Sequence, residues 1–584
     1  MKTIKTLYAH LGKYKPYLFL TYMFVIIESI IDLLIPLYMA DIINATKDSN
    51  IKQVLITGSI LFLMSILALF FSILSGVLSA KFSCGFSYNL RDAMYDRIQS
   101  FSFTEIDAFS IPSLITRITT DVSFVQQTLQ VSVRSFIRAP IMITVAMILS
   151  LRINWKYSLI FLIEVIFFFI CTAIILPIMH PRFLRLFKEL DKLNLVTEEN
   201  LSGIRLVKSY GREKHEIDKF NIVSDKLRKL SIRAEKIRAI VMPLMGFFVY
   251  LTIIISLYLG SQDILARNMD IGELSSLLAY AIQIFMSLTL FSVGLIVLII
   301  SRVSAVRISE VLNSKSSIVN KENPVMEVKD GSIEFNNVTF AYAKDVDQYI
   351  LNKMSFSIKS GETIGILGAT GSAKSTIVQL IPRLYDVLDG SVKIAGVDVR
   401  DYDIKTLRDQ VAIVLQKNTI FEGTIRENMQ WGNLAATDEE IWKALDLAAA
   451  SDFVKQKSAG LDERVLKNGS NFSGGQKQRL CIARALLKTP KIIIFDDSTS
   501  AVDTKTDFMI QKKLKEFRPD LTKIIITQRI NSIQEADKIF VIERGQIVGE
   551  GKHDELVQNN EIYREIYETQ ASMNGGLDFA KRKK

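Results

Sequence analysis

Six apolar stretches constrain this chain more than any other feature. A helix needs about 20 apolar residues to cross the hydrocarbon core of a bilayer. Runs of that order lie near Tyr17–Ala40, Val54–Ala80, Phe136–Leu151, Tyr157–Met179, Val241–Ser261 and Leu274–Ile300. The third is the shortest and carries Arg138 near its start, so its limits are the least sharply marked. From about Val328 the sequence changes character and reads as a soluble α/β domain. With 584 residues, 49% of them hydrophobic, the chain is too apolar for one soluble domain and long enough for two or more. The expected organisation is an α-helical six-span transmembrane domain over 1–312, a polar linker over 313–327 and an α/β domain over 328–584.

The stretches between the second and third spans (Lys81–Ser135) and between the fourth and fifth (His180–Ile240) are long, polar and free of Gly/Pro clusters, so they read as helices continuing out of the membrane. A pair of helices made from about 60 residues projects roughly 40 Å. His180–Ile240 is rich in Lys and Arg, whereas the connections near Asn44–Lys52, Arg152–Lys156 and Gln262–Ile271 carry few, which places the long extensions on the cytoplasmic side. The same bias accounts for the net charge of +10 and makes nucleic acid the weaker explanation of it. Cys84, Cys171 and Cys481 lack the spacing of a disulfide framework or a zinc site. The basic, then apolar N-terminus has no small-residue cleavage pattern and reads as retained.

Three acids fall inside apolar spans: Glu28 and Asp32, four apart on one helix face, and Glu164. A carboxylate at membrane depth faces a bundle interior, a cavity or a headgroup layer. One reading is an acidic wall that attracts cationic substrates; the other is pairing with a basic residue. Tyr280, Gln283 and Phe285 of the sixth span are further pathway candidates, with packing as the competing role.

In the second domain the strand-like ETIGILG runs into GATGSAKST (Gly368–Thr376) and then a helical pattern. This is the strand, glycine loop and helix context of a Walker A phosphate loop. Backbone N–H groups of Gly368, Thr370, Gly371, Ser372 and Ala373 would cradle phosphate at the helix N-terminus, with Thr376 in its first turn. Lys374 would reach the β- and γ-phosphates of ATP, and Ser375 would ligate Mg²⁺. The pattern wants glycine where Ala373 stands, so binding is expected to survive in altered form.

A phosphate loop alone serves many unrelated enzymes, but NFSGGQKQR (Asn471–Arg479) is a second, independent motif. These residues resemble the signature of the ABC ATPases. Tyr342 (A-loop), Gln416 (Q-loop), KIIIFDD (Lys491–Asp497, Walker B) and SAVD (Ser500–Asp503, D-loop) follow that family's order. ITRITTDV (Ile115–Val122) and SGIRLVKSYGREKHE (Ser202–Glu216) resemble the cytoplasmic coupling loops of ABC exporters, with coupling segments expected near 109–120 and 209–216. The resemblance therefore covers nearly the whole chain. It implies a P-loop ABC-type nucleotide-binding domain on a multi-pass protein of the cytoplasmic membrane. Tyr342 would stack on adenine, Asp496 would hold Mg²⁺ with Ser375, and Gln416 would sense the metal and the γ-phosphate. Ser473, Gly474, Gly475 and Gln476 would face ATP held by a partner subunit, beside the D-loop residues Ser500 and Asp503.

Two departures meet at the catalytic corner. The family's glutamate after the Walker B aspartate is here Asp497, and its switch histidine is Gln528. A carboxylate one methylene shorter reaches roughly 1.5 Å less far, and errors of about 1 Å cost on the order of 100-fold in rate. Glutamine hydrogen-bonds but cannot become cationic. RVLKNGSNF, ahead of the signature, replaces a glutamate-containing stretch common in exporters. The resemblance then implies a heterodimer: a second half-exporter with competent motifs does the catalysis, and this chain lends its signature. The implied cargo is amphipathic, hydrophobic or cationic small molecules moved through the lipid bilayer. Lipid or peptide export, and a non-transporting ATP-binding regulator, are the alternatives.

Overall fold

The computed structural model describes residues 2–342, 349–369, 371–497 and 504–573. These divide into two compact units, one of 2–99 with 111–314 and the other of 100–110 with 315–573.

The first unit contains six helices long and apolar enough to cross a membrane. They are α1 (Lys15–Lys47), α2 (Ile51–Gln99), α3 (Val122–Ile153), α4 (Trp155–Ser202), α5 (Glu213–Leu265) and α6 (Ile271–Asn313). Their ends follow local chemistry. Asn154 accepts from the backbone N–H of Lys156 to open α4, and Asp270 and Glu273 form a reciprocal capping box at the start of α6. The third span is thus the apolar half of a 32-residue helix, longer at both ends than its hydropathy suggests. Gly272 lets α6 approach α1, since a Cβ there would lie 2.3 Å from the carbonyl oxygen of Ala40.

Pro36 lies within α1 and, lacking an N–H, deprives the Asp32 carbonyl four residues back of its helix donor; side chains on one face of α6 bond that carbonyl and two beside it. The Gln283 amide donates to the Asp32 carbonyl (3.1 Å), the Tyr280 hydroxyl to Leu33 (3.0 Å) and the Ser276 hydroxyl to Pro36 (2.6 Å). Tyr280 and Gln283, read as pathway candidates, therefore serve the α1–α6 contact.

The acidic wall expected from Glu28 and Asp32 is neutralised. Arg138 of α3 binds Glu28 and, at 2.6 Å, Asp32, while Arg134 lies 3.6 Å from Glu28 and the Ser75 hydroxyl of α2 donates to it at 3.2 Å. Glu28 is only 3% exposed, which makes pairing the role the structure assigns it. Glu164 differs: it is 6% exposed on α4, and neither carboxyl oxygen meets hydrogen-bonding geometry with a described residue.

In the second unit a six-stranded sheet forms the frame. Its strands in chain order are β3 (Thr363–Leu367), β5 (Val411–Val414), β6 (Ile492–Asp496), β7 (Thr522–Ile526), β8 (Lys538–Glu543) and β9 (Gln546–Gly551). Their spatial order is β9-β8-β3-β7-β6-β5, parallel except for the β8–β9 edge pair. β1 (Ile333–Phe340), β2 (Leu351–Ile358) and β4 (Asp389–Ile394) build a separate antiparallel sheet. The parallel strands are continuous apolar runs because both faces are covered. One face packs on β1, β2 and β4, the other on α8 (Gly474–Leu487) and α9 (Thr504–Phe517), while α7 (Lys374–Leu380) follows β3.

Most of the polar linker expected at 313–327 clusters with the second unit, held by a Val325–Tyr402 bridge and by Asn320, which donates to Asp403 and accepts from the Ile404 N–H. Residues 100–110 also cluster with the second unit. Ser102 and Glu105 cap a short helix, Phe103–Phe109, which Ser110 ends at φ +60°. Within the unit, Tyr385 donates to Asp107 at 2.6 Å and Glu105 accepts from the Ser317 N–H. Residues 111–121 stay helical with the first unit. The second coupling stretch forms an exposed helix, Ile204–Ser209, between Gly203 and Gly211.

Arg138→Met would strand Glu28 and Asp32, and by the cost of breaking a buried ion pair should destabilise the first unit by about 3–5 kcal/mol. Adding E28Q and D32N should recover most of that loss, read as helical melting of the detergent-purified chain.

Candidate functional site

The carboxyl ends of β3, β7 and β6 lie side by side, because the ladder continues past the strands. The Thr527 N–H donates to Ile366 (3.2 Å) and the Asp497 N–H to Ile526 (2.9 Å). In open α/β sheets this edge is where ligands bind. It gathers the phosphate loop, Asp496 with Asp497, and Thr527 with Gln528.

Leaving β3, the chain turns at Gly368, where a Cβ would lie 2.3 Å from the Ile542 carbonyl oxygen and 2.6 Å from the Ser372 hydroxyl. Gly371 adopts φ +84° and Ala373 φ +78°, the latter as the N-cap of α7. A left-handed alanine costs about 1–2 kcal/mol, so the loop keeps its shape under strain that glycine would lack. Lys374 is buried and curls into the loop, donating to the carbonyls of Gly368 (2.8 Å) and Ala369 (2.7 Å). Ser375 donates to Asp496 at 2.9 Å, and Gln416 donates to Asp497 at 3.4 Å. Thr370, Ser500 and Asp503 lie outside the described residues.

Burial raises the Asp496 and Asp497 carboxyls above the usual range, and burial lowers the Lys374 ammonium below its own. Two carboxyls beside a serine hydroxyl are a hard-oxygen donor set that a divalent cation fits. Asp496 and Ser375, with Gln416 nearby, are the residues that would hold Mg²⁺. Asp497 sits at φ +46°, and Gln528 is exposed, its backbone carbonyl accepting from Gln570 at 2.6 Å.

Tyr342 is half-exposed at the end of the antiparallel sheet. Its hydroxyl lies 3.1 Å from those of Thr376 and from the Gln379 amide oxygen, and its ring meets Tyr385 edge-on at 5.1 Å. This fixes an aromatic face beside α7. Across the unit, Ser473 caps α8, donating and accepting in a box with Gln476, so Gly474 and Gly475 present the first turn's N–H groups. Asn471 braces the signature by accepting from Leu466 N–H and donating to Arg464, which the RVLKNGSNF stretch supplies.

Three residues were missed from sequence. Arg529 adds positive charge at Asp497, Gln570 holds the Gln528 turn, and Tyr385 props both Tyr342 and Asp107. Only Arg529, one residue past the switch position, had a local signal.

Residues 18–288 match the family described as ABC transporter transmembrane region, and residues 351–500 the family described as ABC transporter. The uncharacterized ABC transporter ATP-binding protein YfiB of Bacillus subtilis (strain 168) is 34% identical over 549 residues, 94% of this chain and 95% of that protein. YfiC of the same organism, also an uncharacterized ABC transporter ATP-binding protein, is 30% identical over 588 residues, 97% and 94% of the two chains. A solved structure of a bacterial Atm1-family ABC exporter with ATP bound shares the fold, with a TM-score of 0.84 at 22% identity over 96% of this chain and 99% of that one.

Nucleotide affinity should fall on both sides of an optimum. On the acid side Asp496 and Asp497 take up protons at higher pH than ordinary carboxyls, and on the alkaline side Lys374 loses its proton earlier than an ordinary lysine. The same raised carboxyls make protonation favour the nucleotide-free fold, a contribution gained as pH falls through their folded values and lost above them. Mg-ATP binding should therefore weaken as pH falls into the range where these two carboxyls take up protons, as checked by calorimetric titration across pH.

Proposed function

The chain belongs to the ABC transporter family, as a multi-pass membrane protein with a cytosolic ATP-hydrolysing domain, and we propose that it is the catalytically weakened half of a heterodimeric exporter. The observation that carries this reading is the contrast between two ends of one domain. Asp497 and Gln528 depart from the family's catalytic pattern, while Ser473–Gln476 keep its signature in a fully capped helix.

On this reading ATP binds over the phosphate loop with adenine against Tyr342. Lys374 leaves the Gly368 and Ala369 carbonyls to meet the phosphates. Mg²⁺, when bound, supplies charge neutralisation for the phosphate oxygens, held through Ser375 and Asp496. Asp497 is too short to orient a water well, and Gln528 donates a hydrogen bond without adding positive charge, so nucleotide is held and turned over slowly. The Ser473 hydroxyl and the first-turn N–H groups of α8 instead close the partner's ATP site, where hydrolysis resets the cycle.

The cargo on this reading is an amphipathic or hydrophobic compound, multidrug in range and including cations. Glu164, not the Glu28–Asp32 pair, is the acid left to meet a cationic group, since Arg138 and Arg134 already neutralise the pair.

ATPase assays of the chain alone and with a second half-exporter test the reading. The lone chain should be nearly inactive, and the pair should hydrolyse ATP. In the pair, Asp497→Asn should change turnover by less than about twofold, whereas Ser473→Ala should lower it by about tenfold or more. Strong turnover by the lone chain would overturn the heterodimer.

A further inference from the structure

Opposite the nucleotide edge, between α9 and β7, the second unit has a cleft of about 920 Å³. Lys523, the second residue of β7, lies at its floor and is 2% exposed. It shares a sheet face with Ile525, which packs in the core under α9. Lysine is almost never buried so fully without a counter-ion. Yet among the described residues the Lys523 ammonium takes part in no hydrogen bond or ion pair.

The carboxylates close enough to act on Lys523 are engaged elsewhere. Asp537 accepts from the Thr363 N–H at 2.8 Å, and Asp520 accepts both guanidinium nitrogens of Arg518 at 3.1 and 3.0 Å. A second donor in the cleft also lacks an acceptor: among the described residues the buried amide nitrogen of Gln511, on α9, has no hydrogen-bond partner. Lys512 and Lys515 stand exposed on the same lining stretch of α9. Across the cleft Asp507 accepts from the Ser532 hydroxyl at 2.8 Å. Glu516, Glu535 and Asp554 add negative charge to the lining, and exposed Lys505 adds positive charge. An occupant must therefore meet Lys523, Gln511 and the two exposed lysines together.

We propose that this cleft binds a small phosphate-bearing anion, with Lys523 and Gln511 at its floor and Lys512 and Lys515 at its mouth. A phosphate supplies what these groups lack: several acceptor oxygens and more than one negative charge in a compact body, which lysine meets as a point charge. The site is separate from the ATP site, because Lys523 and Gln528 are five residues apart along β7 and its extension, roughly 16 Å of strand. Burial also lowers the Lys523 ammonium from its ordinary value, so its free, nucleophilic amine is reached at lower pH than that of an ordinary lysine.

That chemistry gives the test. Pyridoxal 5′-phosphate carries a phosphate and an aldehyde. The lysine amine adds to the aldehyde carbon, water leaves to give an imine, and borohydride delivers hydride to fix it as a secondary amine. On the full chain in detergent, peptide mapping should find the label at Lys523 as well as at Lys374. ATP should protect Lys374 and not Lys523. Inorganic phosphate should slow labelling of Lys523 about threefold once it reaches about twice its dissociation constant, at constant ionic strength. Equal protection by glycerol 3-phosphate would make inorganic phosphate sufficient, and stronger protection would identify an organic phosphate. The surface variant K512A/K515A should lose the phosphate protection of Lys523 while ATP still protects Lys374. No label at Lys523, no protection beyond that of sodium chloride, or full protection retained in K512A/K515A would each overturn the proposal.

Discussion

A backbone carbonyl in hydrocarbon has no water to turn to, and the membrane unit is organised by that fact. Six long helices satisfy most of their polar groups internally, and where Pro36 breaks the pattern, a neighbouring helix makes up the difference. Ser276, Tyr280 and Gln283 fall at spacings of four and three on α6, so one face meets the carbonyls around the break. Side-chain charges follow the same rule. Glu28 and Asp32 of α1 are held by Arg138 of α3, with Ser75 of α2 completing the set, so three helices are tied by one polar network. Among the described residues Glu164 makes no ion pair and has only the Thr252 hydroxyl as a polar neighbour, which sets it apart.

The soluble unit obeys a different constraint. Parallel strands buried on both faces place their carboxyl ends along one edge, and every strand ending there contributes a loop to the same space. β3 brings the phosphate loop, β6 brings Asp496 and Asp497, and β7 brings Thr527 and Gln528. Asp497 and Gln528 therefore come to the same edge although they are far apart in sequence. The frame beneath them is intact: apolar strands, a loop that turns at Gly368, and a lysine aimed into it.

What was legible in the sequence was what is local. Spans announce themselves by composition, and the phosphate loop and signature are short runs whose chemistry needs adjacent residues. The partners of Glu28 were not legible, because Arg138 lies on another helix and pairing depends on how helices pack. The role of Gln283 needed Pro36, some 250 residues earlier, to be opposite it. One miss had a local signal. Ser102 and Glu105 spell a capping box, and reading it would have placed the short helix at 103–109 in advance of the segment expected at 109–120. Lys523 shows the reverse case, since a lysine near a strand end reads as solvated until the helix over it is known.

The proposed asymmetry has an energetic logic of its own. Moving a two-state equilibrium from 1:99 to 99:1 takes about 5.5 kcal/mol of differential affinity. If two bound nucleotides supply it together, loss of either returns the balance toward the open state, so hydrolysis at one site suffices for a cycle. A second hydrolysing site adds no further reset and consumes nucleotide. The site built on Ala373, Asp497 and Gln528 then contributes most by staying occupied, which requires an intact cradle and an ineffective base. Those two properties can separate because they reside in different atoms: the cradle is backbone and Lys374, whereas catalysis depends on the reach of one carboxylate and the charge of one side chain. Shortening the first and neutralising the second leaves the cradle untouched.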